Sequence, residues 1–283
     1  MASTLRALTV LVEYELLRSL ARRRVLLLLT ATLLLEVAIY FVLTRLPPLF
    51  VNPIRQYAWS VGLIAPSTAL LHVLAITIGA SASSEEYETG TADFWFTRPI
   101  SRLEYFAGKT LGGLLLLGSI IALYSSLALV LSWYAFGPQS RLDALVLGIA
   151  ASLASAAPSF ALGVALGELT RRSMIAILLG GILFFGSVLF QSYANVVAVL
   201  NNDRSLLEIA SYLPSWGAVG YTVTVVSELL NLRGFAASFF AAASGLTLVD
   251  VGRAHLSILA YSVAPFLAAW FRLRYGDVTR RSA

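Results

Sequence analysis

Six stretches of this chain, at about 25–43, 57–82, 107–135, 143–168, 173–199 and 254–271, are long and apolar enough to cross a bilayer as helices. Hydrocarbon offers a peptide group no hydrogen-bond partner, so a segment that crosses it must satisfy its own backbone, and a helix does so within one run. Composition points the same way. The chain is 58% hydrophobic and 12% charged, with a mean hydropathy of +0.81. A soluble domain carries roughly twice that charge fraction, and no soluble core of this length could absorb so much apolar surface. The expected fold class is therefore an all-α integral membrane protein with six transmembrane helices. The third and fourth runs are over-long, which predicts tilt or extension beyond the membrane. The first run follows Arg22, Arg23 and Arg24 with no small-residue cleavage site behind it, so it reads as a permanent anchor. No internal repeat or low-complexity linker divides residues 1–283, which read as one membrane domain.

Orientation follows from the basic residues between the runs. With the N-terminus inside, 14 Lys and Arg fall on the inner side and six on the outer, three of the six in one long connection. This predicts a multi-pass protein of the cell membrane with both termini cytoplasmic. Before the first run, residues 4–20 place Leu5, Leu8, Val12 and Leu16 on one helical stripe flanked by charges. That pattern predicts an amphipathic helix in the inner interface.

The stretch 201–253 resists simple assignment. Its two semi-apolar pieces, Pro214 to Leu230 and Phe235 to Val249, are short for spans and flank the polar Glu228, Asn231, Arg233 and Gly234. An outer loop, a re-entrant hairpin and two further spans compete. The hairpin, dipping into the outer leaflet around an outer vestibule, is favoured, because irregular backbone at membrane depth is tolerated only when buried in protein or facing water. Gly108 with Gly112, Gly163 with Gly167, and Ser152, Ser155, Ala156 and Ser159 form small-residue faces where helices can approach closely.

Much chemistry is excluded. There is no cysteine, hence no disulfide or thiolate site, and two isolated histidines, His72 and His255, do not make a metal centre. Gly108-Lys109-Thr110 resembles the end of a phosphate-binding loop, but position 103 is Leu rather than the required Gly. Lys109 instead reads as a side chain snorkelling at the inner surface. Neither ATP nor any other cofactor has a visible site on this chain. Glu36 in the first run and His72 in the second are intramembrane polar groups. Each is either an ion or proton site or a buried structural contact. Glu168 before Arg171 and Arg172 reads as a salt-bridged helix end.

Between the second and third runs lies a charged and aromatic island at 84–104. Ser83-x-x-Glu86 and Ser101-x-x-Glu104 both fit capping boxes, and Pro99 cannot extend an earlier helix. This predicts a short helix near 84–89, a break at Gly90, an aromatic segment Phe94-Trp95-Phe96, and a new helix from Ser101. Exposed aromatics need a cover, which a partner protein and the headgroup belt supply equally well.

The island resembles a known pattern. Glu85-Glu86, Gly90-Thr91, Arg98-Pro99-Ile100-Ser101-Arg102 and Gly108-Lys109 before a long span are similar to the membrane subunits of type 2 ABC exporters. The resemblance extends to the layout and to the closing Trp270-Phe271-Arg272-Leu273-Arg274-Tyr275-Gly276-Asp277. The aromatic Phe94-Trp95-Phe96 departs from it, since many members carry aliphatics there. The resemblance implies a permease that forms a dimer with a second copy or a paralogue. It implies two separate ABC ATPase subunits that carry ATP and Mg²⁺, and no enzymatic activity on this chain. Residues 84–100 would be the coupling helix, with Glu85, Glu86, Glu88, Gly90, Phe94, Trp95, Phe96, Arg98, Pro99 and Arg102 at the ATPase contact, and the outer hairpin, with Pro214, Glu228 and Arg233, would act as a gate. Membrane lipids are the other expected partners; nucleic acid is not. A stand-alone ion- or proton-coupled carrier and a membrane scaffold protein are the alternatives, the former wanting more intramembrane charge than Glu36. Apolar cavity walls lean towards a hydrophobic or amphipathic cargo.

Overall fold

A computed structural model of the chain describes residues 2–201, 205–232 and 249–276. Among these residues there are helices and turns and no strand. The long helices are α1 (Ala2–Ala21), α2 (Arg23–Leu43), α3 (Trp59–Thr68), α4 (Leu70–Thr89), a short α5 (Ala92–Phe96), α6 (Arg102–Phe136), α7 (Asp143–Thr170), α8 (Ser173–Asn201), α9 (Pro214–Leu229) and α10 (Val251–Tyr275).

Helices α2, α6, α7, α8 and α10 are each long and apolar enough to cross a membrane, and α3 with α4, bent by 53°, passes the same test as a pair. The bend departs from the single straight second span that the sequence predicts. Pro66 lies inside α3 and has no N–H to give the carbonyl of Gly62, and the ladder then breaks at Ala69 (φ −144°, ψ −56°). Helix α6, at 35 residues, is about 52 Å long at 1.5 Å per residue, well beyond the ~30 Å of a hydrocarbon core. It begins at Arg102 and so overhangs the predicted run by more than a turn.

The bundle is built on close backbone contacts. α4 and α7 pack along each other, and the glycines explain the approach. A Cβ on Gly163 would lie 2.5 Å from the Ile76 carbonyl oxygen and 2.9 Å from the Ala80 nitrogen. A Cβ on Gly167 would lie 2.5 Å from the Ala80 oxygen. Both distances are shorter than any tolerable contact, so only glycine allows this separation. A second seam joins α1 to α6, where a Cβ on Gly108 would meet Leu11 at 2.5 Å and one on Gly112 would meet Glu15 at 2.8 Å. The core between them holds Leu71, Leu74, Ile78, Leu117, Ile121, Tyr124 and Phe160.

The chain after α8 doubles back. Ser215, at the start of α9, donates to the side-chain oxygen of Gln191 at 3.4 Å, and Gln191 lies about 15 Å short of the end of α8 by helix rise. Pro214 occupies the first turn of α9, where its missing N–H costs nothing. α9 then runs along α7, so that Val226 lies beside Gly148 near the start of α7. α9 corresponds to the first of the two semi-apolar pieces. The second, Phe235 to Val249, lies outside the described residues except for Val249, as does Arg233.

A helix forms over the stretch expected to be amphipathic, and its buried line is Leu11, Glu15 and Ser19, while Leu8, Val12 and Leu16 are half-buried. Arg22, just past the end of α1, is buried beside them. A glutamate on α1 and an arginine at its end enter the protein, and their partners define the site.

Candidate functional site: an ion-paired joint under an aromatic bend

The last two turns of α4 do not form the separate short helix expected at 84–89. α4 continues unbroken to Thr89, so Ser83 is a mid-helix residue rather than a cap. The helix stops at Gly90, whose φ of 72° is the left-handed conformation that favours glycine at a helix end. The five residues of α5 follow. Ser101 then opens α6 with a complete capping box: its hydroxyl accepts from the Glu104 N–H at 3.1 Å, and Glu104 accepts from the Ser101 N–H at 2.8 Å.

Beneath this bend, three carboxylates and three cations from α1, α4 and α6 meet. Glu86, fully buried, accepts from Arg18 at 2.6 Å, from the Lys109 ammonium and from the Tyr105 hydroxyl. Glu15, also fully buried, accepts from Ser19 at 2.8 Å, from Arg22 at 3.0 Å and from Lys109 at 2.8 Å. Glu85 takes Arg22 at 2.8 Å and Arg18 at 3.7 Å. Arg22 also reaches the Ser81 carbonyl at 3.0 Å. Lys109 is 2% exposed and bridges Glu15 to Glu86. The charges cancel. A buried ion pair gains little over an apolar contact, but loss of one member strands another charge at a cost of about 3–5 kcal/mol. The network therefore fixes the register of three helices.

Aromatic rings close the joint on its outer side. Tyr14 meets Trp95 edge-on at 5.0 Å, and Phe96 packs on Tyr105 at 5.1 Å. The Lys109 ammonium lies 4.7 Å from the Tyr14 ring and 5.8 Å from both Trp95 and Tyr105, where ring faces add attraction for a desolvated cation. Phe94 projects the other way, 52% exposed, with the Arg98 guanidinium 4.2 Å over its ring. Asp93, Arg98 and Pro99 are exposed around it. Beside the bend lies a polar notch of about 300 Å³ between Glu88, Gly90 and Asp93 on one side and Thr170, Arg171 and Arg172 on the other. Glu88 accepts from the Ser173 N–H at 2.7 Å and so caps the start of α8.

The sequence profile of the ABC-2 family transporter proteins matches residues 11–278. The chain belongs to the ABC-2 transporter family. No curated protein matches it.

In this ABC-2 chain the island residues divide into two groups. Gly90, Phe94, Arg98 and Pro99 are on the surface, and Glu88 is exposed while it caps α8. Glu86 is not available to a partner, because three donors hold it inside the protein. Glu85 is mostly engaged by Arg22, and Trp95 and Phe96 are half-buried against the chain's own tyrosines. Arg102 is spent on the end of α10, donating to the carbonyls of Leu273 at 2.8 Å and Arg274 at 2.7 Å, where a cation suits unpaired carbonyls. Lys109 does not snorkel, since α1 covers it. Glu168 is buried and accepts from the Tyr87 hydroxyl at 3.0 Å. Glu15, Arg18 and Arg22 were missed as site residues. For Glu15 the signal is the four-residue spacing of Leu11, Glu15 and Ser19 on one face of α1; Arg22 lies beyond the end of that helix.

The two intramembrane groups do not form one site. Glu36 packs against Gly62, Tyr40 and Ala128. His72 pairs with Ser159 at 3.0 Å and stacks on Phe184 at 4.6 Å, which makes it an interhelical contact. At the outer segment, Pro214 and Glu228 occupy opposite ends of α9, so they do not converge on one point; Glu228 is exposed. Pro214 lines an apolar cavity of about 490 Å³ with Pro158, Leu162, Phe184, Phe190 and Pro265, and no charged side chain is among its lining residues.

Proposed function

We propose that this chain is the membrane subunit of an ATP-driven exporter, in which the bend at 90–99 receives the push of a separate ABC ATPase. The observation that carries this reading is the joint. A surface knob of Phe94, Arg98 and Pro99 stands on an aromatic bed, and the bed rests on an ion-paired core that grips α1, α4 and α6 at once. A force applied to the knob reaches three helices without passing through a loop. The bent pair α3 and α4 ends at this bend and is the element that such a force would tilt.

In this reading the basic end of the bundle, with both termini, faces the cytoplasm, as the distribution of Lys and Arg requires. Two ATPase subunits, which hold ATP and Mg²⁺, dock on a pair of permease chains, the second being an identical copy or a paralogue. The chain itself catalyses no reaction and carries no cofactor. α9 serves as the outer gate, and the apolar cavity beside it suits a hydrophobic or amphipathic cargo. The test is purification from native membranes in mild detergent, with mass spectrometry and an ATPase assay. A stoichiometric ATPase and ATP turnover are expected. A chain that arrives alone and inert would contradict the reading.

A further inference from the structure

Glu36 lies about 20 Å along α2 from Arg23, counted by helix rise, in the interior of a membrane-spanning helix. Its side chain is fully buried, and neither carboxylate oxygen has a hydrogen-bond partner among the described residues. The contrast with the other buried acids is plain, since Glu15, Glu86 and Glu168 each accept from at least one donor.

The position is built to hold the group. The carboxylate rests on Gly62 of α3, and a Cβ there would collide with it, as well as lying 2.5 Å from the Ala128 Cβ and 3.0 Å from the Tyr40 hydroxyl. Glycine at 62 is what leaves the space. The neighbouring polar groups are committed elsewhere. Tyr40 donates to the Ala58 carbonyl at 2.9 Å, and Tyr124 of α6 lies 3.3 Å from Ser67. α3 has no titratable residue. On α4, His72 turns to Ser159, and Glu85 and Glu86 belong to the distant joint, as do Arg18 of α1, Arg22 between α1 and α2, and Lys109 of α6. No cation faces Glu36 among the described residues. An unpaired carboxylate cannot be held in such a place; it takes up a proton and becomes neutral instead.

We propose that Glu36 is a proton-binding site, occupied when α2 packs on α3 as here and emptied when the hinge between α3 and α4 moves and lets water reach it. Gly62 stands one turn before Pro66 and within two turns of the break at Ala69, so motion at the bend acts directly on the wall of the site. On release, the O–H bond of the carboxylic acid breaks, the proton passes to water, and a carboxylate remains. No electron transfer is involved. This inference goes beyond the exporter reading and does not depend on it.

Infrared difference spectroscopy on the full chain in lipid nanodiscs, wild type minus Glu36→Gln, gives the test. The expected result is the carbonyl stretch of a protonated acid in apolar surroundings, present at neutral pH in the wild type and absent from the variant. Glu36→Gln mimics the neutral acid and should melt no lower than wild type. Gly62→Ala should displace the carboxylate and shift or abolish the band. Spin labels on α2 and α4 should report a distance that changes with pH in the wild type and not in Glu36→Gln. Absence of the band, its appearance only when sodium and potassium are removed, a strongly destabilised Glu36→Gln, or a pH-dependent distance that survives in Glu36→Gln would each overturn the proposal.

Discussion

Lys109 shows how a side chain's meaning depends on what lies beside it. Along its own helix it sits about two turns from the start of α6, the depth of a residue that reaches for the membrane surface. In the fold, α1 lies across that position and supplies Glu15, while α4 supplies Glu86. The ammonium is thus removed from water and held by two carboxylates and three rings. Lys109→Met should leave both glutamates short of a cation and lower stability by about 3–5 kcal/mol, read as a large fall in melting temperature in detergent. The double variant Lys109→Met with Glu86→Gln should recover part of that loss, because it removes one stranded charge along with its partner. Arg102→Ala should act locally: the last turn of α10 loses its donor, and amide exchange at Leu273 to Gly276 should speed up without a large change in melting. The sequence made the charged residues of the island visible but not their partners. Pairs such as Glu86 with Arg18, 68 residues apart, exist only through tertiary packing, and only the capping box at Ser101, a local hydrogen-bonding pattern, was readable in place.

At the scale of elements, apolar length and small-residue spacing were legible because each acts within one helix. Five span-length apolar helices and the bent pair α3 with α4 lie where the hydrophobic runs predict, and Gly163 with Gly167 and Gly108 with Gly112 line close seams. The break in the second span was not legible. Pro66 sits in an uninterrupted apolar run, and hydropathy does not register a missing N–H. The ion-paired face of α1 was not legible for a related reason, since an apolar stripe says nothing of which polar groups meet partners from other helices. The seam between α4 and α7 makes a direct prediction. Gly163→Ala forces a methyl group against the α4 backbone and should cost about 1–3 kcal/mol. Gly181→Ala, on α8 with open space where its Cβ would stand, should be neutral or slightly stabilising, since alanine favours a helix by up to about 1 kcal/mol. Thermal unfolding of the two variants side by side checks the seam against a general glycine effect.

Across the whole molecule, charge is concentrated at one end and in the joint, while the walls of the bundle are apolar. The joint connects the chain's first helix, α4 of the bent pair and its longest helix, and it leaves Phe94 and Arg98 exposed. The central claim is that these two groups dock an ATPase while the ion pairs beneath them only carry the load. It is tested most directly by affinity purification of a Phe94→Asp, Arg98→Glu double variant from native membranes, with wild type and Lys109→Met alongside. The account predicts that the double variant inserts and melts as wild type does but loses its stoichiometric ATPase. An ATPase that stays bound to that variant at the wild-type level would contradict it.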